Sequence, residues 1–293
     1  MGSMSKKIRI ITDSGCDIPE GFEDKYNIDI MPFSIMINED EYWERADLKP
    51  AKFYELAQSY DGIPKTSQIV TTRFENKFLE YAEKGVEDII CVLINGAGSR
   101  TYMNAVQVRQ NLMDEGKLGS MKIHIVDSHC YSLGYGYPVV EAAKKINAGQ
   151  SAAKIVEYLE DWFSCCEIYL LTFDLRHAKK SGRITAAASV VGELMGIKPV
   201  ISMIDDKTKI IRKSRGERKA VLDAVGVMRE RMIPGTPWQI LRTTCTDIEN
   251  YMVAEMTKMA GKPPAMESFS GAAVGSNAGT KFLGVIIKGQ ARR

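Results

Sequence analysis

The residues best suited to chemistry sit in short polar stretches that follow apolar runs. Cys91–Val92–Leu93–Ile94 gives way to Asn95-Gly96-Ala97-Gly98-Ser99-Arg100-Thr101, and then to a helix-like stretch with Tyr102, Ala105, Val106 and Val108 as its apolar positions. A strand, a glycine turn and a helix start can hold an anion, because unpaired backbone N–H groups and the positive end of the helix dipole converge there. Three specific chemistries fail on spacing. A P-loop needs a lysine after its last glycine, and none follows Gly98. A dinucleotide fingerprint needs a third glycine where Thr101 stands. A nucleophile elbow needs G-x-S-x-G, whereas Ser99 sits in A-G-S-R-T.

Other catalytic equipment is sparse. The histidines are His124, His129 and His177. His124, inside an apolar strand, reads as a core residue. His129 precedes Cys130, but adjacent side chains rarely face each other, which makes them a poor nucleophile pair. No zinc-ligand spacing is present, and Asp205–Asp206 before Lys207 reads as a hairpin turn. Neither a metal nor a cofactor is expected, and the balance tilts from bond breaking toward binding.

Further polar residues end other strands. Asp13–Ser14, Asn95 to Ser99 and Asp127–Ser128 close three apolar runs, and in a parallel sheet such loops form the ligand crevice. A fourth polar turn, Gly62-Ile-Pro-Lys-Thr-Ser-Gln68, supplies Thr66 and Ser67. Each hydroxyl could be only a helix cap. Thr66 and Ser99 together read better as a head-group pair, with free backbone N–H groups beside them. Phosphate sites usually recruit several cations, and only Lys65 and Arg100 lie adjacent; a carboxylate is content with hydroxyl and amide donors. Methionines such as Met36, Met195, Met203, Met228 and Met232 lie in or beside apolar segments, where they fill a core or adapt to a flexible tail.

The elements that position these groups follow from the hydrophobic pattern. Short, nearly all-apolar strands alternate with amphipathic helices up to about Cys165, which implies a parallel sheet covered on both faces. Thr71–Gly85 carries hydroxyl caps at its start and glycine at its end. The helix beginning at Ser151 reads as a hinge. From Cys166 strands outnumber helices. The expected fold is therefore α/β: an N-terminal parallel α/β/α sandwich over 4–165 and a C-terminal α+β domain over 166–291. Residues 1–3 look like a cloning scar before a start at Met4.

Composition excludes several classes. The 293 residues are 45% hydrophobic and 26% charged, as in ordinary globular proteins. A net charge of +2 recruits neither nucleic acid nor an anionic membrane. No apolar run is long enough to span a bilayer, and no secretory leader is evident. Six cysteines without a C-x-x-C read as reduced thiols, which fits a cytoplasmic protein. A monomer is the default expectation.

Taken in order, several motifs resemble the DegV family of bacterial fatty-acid-binding proteins. These are I-T-D-S-G-C-D-I-P at 11–19, K-T-S-Q at 65–68, G-S-R-T-Y-M-N-A at 98–105 and I-V-D-S-H-C-Y-S-L-G-Y-G at 125–136. The block at 175–200, R-G-E-R-K-A at 215–220 and G-A-A-V-G-S-N-A-G at 271–279 complete the set. The resemblance implies a lipid-binding protein of phospholipid metabolism, with one long-chain fatty acid buried between two domains and its carboxylate on Thr66 and Ser99. It implies a carrier subunit, not an enzyme, whose ligand a separate fatty acid kinase converts to an acyl phosphate. Ser67, Arg215 and Asn277 are the expected supporting residues around the head group. Arg176, Lys180 and Arg183, in a basic loop with Lys179, are expected to dock the kinase. Arg100 replaces a family glycine and is expected to point to solvent; Ser181 replaces another. Asn277 replaces a family histidine, and it can hydrogen-bond but cannot carry a proton's charge near neutral pH. The alternative from another class is an enzyme acting on a small carboxylated or phosphorylated metabolite in the interdomain cleft.

Overall fold

The computed structural model describes residues 7–173, 175–188 and 196–290. Met195, residues 1–3 and the stretch 189–195 of the fifth motif lie outside the described residues. The first lobe runs β1 (Ile8–Asp13), α1 (Phe22–Tyr26), β2 (Ile28–Met31), β3 (Ser34–Ile37), β4 (Asp40–Trp43), α2 (Pro50–Ser59) and β5 (Lys65–Ser67). It continues with α3 (Thr71–Glu83), β6 (Asp88–Leu93), α4 (Thr101–Asp114), β7 (Lys122–Asp127), α5 (Leu133–Asn147) and α6 (Ala152–Cys165). The second lobe runs β8 (Cys166–Thr172), α7 (Leu175–Ser181), α8 (Thr185–Ala188), β9 (Ile197–Ile204), β10 (Lys207–Arg215) and α9 (Glu217–Arg231). It ends with β11 (Trp238–Arg242), α10 (Thr246–Ala260), β12 (Met266–Phe269), α11 (Ala272–Ala278) and β13 (Phe282–Lys288).

A wholly parallel sheet of order β2-β1-β6-β7 forms the centre of the first lobe. Every residue of β6 is buried, Asp88 included, and the apolar run from Ile89 is what an interior strand covered on both faces requires. Helices α3 and α4 pack together, as do α5 and α6, and α6 lies on β6 and β7. Thus α6 belongs to the first lobe and runs straight into β8 at Cys166; the expected hinge is a continuous packed element.

The second lobe is a six-stranded sheet of order β10-β9-β8-β13-β11-β12, antiparallel except for β11 against β12. Side chains alternate across a strand with period two. One face carries Tyr169, Leu171, Trp238, Ile240, Leu283 and Val285 into a core with Val221, Met228, Met252 and Met256 of α9 and α10. The opposite face carries Ile168, Leu170, Leu241, Phe282 and Ile286, which join the core of the first lobe. The first lobe therefore covers the sheet face that α9 and α10 leave open.

Four local expectations change. The turn at 62–68 contains strand β5, paired at the edge of a small antiparallel sheet β4-β3-β5 with Thr66 opposite Ile35. Val70, not a hydroxyl residue, occupies the N-cap of α3, and Thr71 is its first helical residue. His124 is half-buried and paired with Asp88 at 2.9 Å, because β7 is the sheet's edge strand. The basic loop is largely helical: Arg176, Lys179 and Lys180 lie on α7, exposed. The Asp205–Asp206 turn holds, with both residues at positive φ closing the β9–β10 hairpin.

Candidate functional site

A cavity of about 350 Å3 lies where the two lobes meet. Its first-lobe wall is Thr66, Ser67 and Gln68 on and after β5, the loop Gly96–Arg100, and Tyr131–Ser132 after β7. Its second-lobe wall is Ile168 and Leu170 of β8, Met203 of β9, Leu241 of β11, and Phe282, Gly284 and Ile286 of β13. Helix α11 contributes Ala273, Val274, Asn277 and Ala278, and Arg183 and Ile184 complete the lining. Polar groups thus concentrate on the first lobe, beside Phe33 and Ile94, and apolar groups on the sheet of the second.

The loop between β6 and α4 is held by acidic strand ends. Asp127 accepts hydrogen bonds from Gly96 N at 3.0 Å and His129 N at 3.0 Å. Asp13 accepts from Ile94 N at 2.7 Å, from Gly15 N at 3.1 Å and from the Tyr135 hydroxyl at 2.5 Å. Burial raises the Asp13 carboxyl to about 7 despite these donors. Ala97 N donates to the Asn95 side chain, and Gly98 N and Ser99 N donate to its carbonyl. The backbone donors of 96–99 are therefore spent within the protein, and the expected free N–H cradle is not available to a ligand.

Gly96 and Gly98 serve this tight wrapping. A Cβ on Gly96 would stand 2.4 Å from Asp127 Oδ2, and one on Gly98 2.2 Å from the Tyr131 hydroxyl oxygen. Tyr131 closes over Gly98, and burial pushes its phenol up to about 12 while nearby Arg183 pulls it back. It is a neutral donor at physiological pH.

The remaining polar groups that face the cavity are side chains. Ser99 Oγ accepts from Thr101 N at 3.3 Å and donates to Thr101 Oγ1 at 2.9 Å; Thr101 Oγ1 also accepts from Ile69 N at 3.3 Å, tying the segment after β5 to α4. Thr66 is exposed on β5, and its hydroxyl makes no hydrogen bond among the described residues. Both residues face the same cavity. Asn277 gives its amide N–H to the Ala273 carbonyl at 2.8 Å and lines the cavity. Arg100 and Arg183 are exposed yet border the cavity, so both expected roles, pointing to solvent and docking a partner, fall on residues that also flank the ligand space. Arg215 lies exposed at the end of β10, outside the lining. The spacing of Arg183 gave no hint of its approach, since α7 and α8 fold it back beside Tyr131.

Electrostatics distinguish this cavity from a larger one of about 750 Å3 beneath α2. The larger one is lined by Asp17, Glu20, Glu23, Glu44, Glu55 and Glu267, and its Arg45 and Lys49 are already paired with Glu23 and Glu20, so it offers an anion no spare cation there. Among the described residues, the smaller cavity has no carboxylate, histidine or thiol in its lining and two arginines at its edge. Its described lining suits an anionic head and an apolar body. No cluster of metal-ligating side chains occurs among the described residues.

The model of the family described as "Uncharacterised protein, DegV family" matches residues 7–289. The chain belongs to the DegV family. A DegV domain-containing protein of Caldanaerobacter subterraneus, TTE1491, is 26% identical over 285 residues, covering 97% of this chain and 99% of that one. The fold matches a fatty-acid-binding DegV family protein from Thermus thermophilus with a TM-score of 0.85 at 22% identity, over 97% of this chain and 100% of that one. It matches a stearic-acid-binding protein from Eubacterium ventriosum with a TM-score of 0.84 at 20% identity, over 96% and 98%. As in these DegV structures, a parallel sheet is joined to a second domain rich in antiparallel strands. No helix among the described residues is long and apolar enough to cross a membrane.

Proposed function

We propose that the interlobe cavity binds one long-chain fatty acid, with its carboxylate at Thr66 and Ser99 and its chain along the β8–β13–β11 face. The loaded protein then acts as a carrier that presents the carboxylate to a separate fatty acid kinase for acyl phosphate formation, in the cytoplasm and in the service of phospholipid metabolism. One observation carries this reading: among the described residues the lining pairs hydroxyl groups and two arginines with an apolar sheet face, and holds no carboxylate, histidine or thiol. The fatty-acid-binding description of the Thermus thermophilus neighbour and the stearic acid named for the Eubacterium ventriosum one support the ligand class.

Energetics assign the roles. Burying about 14 methylenes at roughly 0.8 kcal/mol each gives about 11 kcal/mol as an upper bound. Hydrogen bonds to a charged carboxylate contribute about 1.5–3 kcal/mol each. The chain therefore supplies most of the affinity, and Thr66 and Ser99 fix the orientation, with Ser67 and Asn277 beside them. Arg176 and Lys180 on α7, together with Arg183, form the surface offered to the kinase.

Mass spectrometry of an organic extract from the purified protein tests this reading. A near-stoichiometric straight-chain acid of about 14–18 carbons is expected, from the tail length used above. A polar carboxylated or phosphorylated metabolite in its place would support an enzyme instead.

A further inference from the structure

Phe282, Gly284 and Ile286 succeed one another on the cavity face of β13. At about 3.4 Å per residue, these floor positions stand roughly 7 Å apart. Gly284 pairs with Leu170 on β8 and with Leu241 on β11, and both leucines also line the cavity. The row across the sheet floor is therefore leucine, glycine, leucine, with the glycine in an interior strand.

Glycine in that setting weakens a strand, because it orders a flexible backbone and packs no side chain. The usual structural reasons for a buried glycine are missing at this position. Its φ does not lie in the left-handed region, and a Cβ built there would meet only Leu241 Cβ at 3.5 Å and Cδ2 at 3.9 Å, which is ordinary contact. Elsewhere the need is plain: a Cβ on Gly136 would stand 2.0 Å from the Cys16 carbonyl oxygen, and one on Gly275 2.5 Å from Phe53. The protein's own packing thus leaves room for a side chain at 284, inside the cavity floor.

We infer that Gly284 is a specificity-determining residue whose missing side chain forms the groove in which a long acyl chain passes between Leu170 and Leu241. The inference rests on the fatty-acid reading of the same cavity and deepens it by naming what admits a long chain. Short acids, held at Thr66 and Ser99, end before the groove or fold away from it. Long ones must cross it.

The test compares Gly284→Ala and Gly284→Val with the wild type, all delipidated, by calorimetric titration of octanoate, decanoate, palmitate and stearate, alongside ligand-free melting curves. Wild-type affinity rises with chain length. In Gly284→Ala, palmitate is weakened about tenfold, as for the loss of roughly two buried methylenes, while octanoate is unchanged and the melting temperature is equal or higher. In Gly284→Val, palmitate and stearate are lost and the shorter acids are retained. Equal weakening of short and long acids, unchanged palmitate binding in both variants, or a ligand-free Gly284→Ala that melts several degrees lower would each overturn the role given to Gly284 while leaving the carrier reading standing. A wild type that binds none of the four acids would overturn the carrier reading and this inference with it.

Discussion

Thr66 and Ser99 share a cavity but differ in how far the fold depends on them. The Thr66 hydroxyl makes no hydrogen bond among the described residues and sits on an exposed edge strand. Ser99 Oγ, by contrast, bridges to Thr101 at the start of α4. Thr66→Ala should therefore weaken palmitate binding by about 1.5–3 kcal/mol, the worth of a hydrogen bond to a charged group, and leave the melting temperature unchanged. Ser99→Ala should lose similar affinity and also about 0.5–1.5 kcal/mol of stability. Titration calorimetry with parallel melting curves separates the two. A collapse of the ligand-free Thr66→Ala protein would show that this threonine is structural. Asn277 belongs at the same scale: it lines the cavity but offers no titratable proton.

At the scale of elements, α11 is held by carboxylates that reach across from the first lobe. Asp17 Oδ1 accepts from Gly271 N at 2.8 Å, and Glu44 Oε1 accepts from Ala273 N at 2.7 Å. Ser132 donates to Asp17 at 2.6 Å and Ser14 to Glu44 at 2.5 Å. Burial raises the carboxyls of both Asp17 and Glu44, and Asp13 behind them stands at about 7. Each holds a proton in the folded protein at a pH where the unfolded chain has released it. For Asp13 this contribution is complete below the ordinary carboxylate range and declines as pH rises from about 4 to about 7, by at most roughly 1.4 kcal/mol per pH unit, and Asp17 and Glu44 act in the same direction. Exposed pairs such as Glu20–Lys49 act in the opposite sense but weakly. Urea unfolding of the ligand-free protein at pH 5, 6 and 7 should show falling stability, and Glu44→Gln should flatten the slope. A stability that rises over this interval would show that these carboxyls are ionised in the fold.

For the molecule as a whole, the long-range plan was legible and the contacts across the lobes were not. The unbroken apolar run of β6 announced an interior parallel strand, and the change in rhythm after Cys166 marks where the strands of the second sheet begin. Ser99 stood out because it follows an apolar strand, and Thr66 because it lies in a polar turn after Pro64. Helix α11 did not, since Ala272–Ala278 is small and polar, and its place comes from Asp17 and Glu44, more than 200 residues earlier. The use of every N–H in 96–99 depends on Asp127 and Asn95 geometry that no spacing encodes. The approach of Arg183 to the cavity is likewise a tertiary fact. These contacts decide which of two cavities suits an anion, and the electrostatic contrast between them frames the central claim. A crystal structure of the protein loaded with palmitate tests it most directly. The account predicts the carboxylate between Thr66 and Ser99 and the chain against Leu170, Gly284 and Leu241. Palmitate lying in the acidic cavity beneath α2, or with its carboxylate away from both hydroxyls, would contradict it.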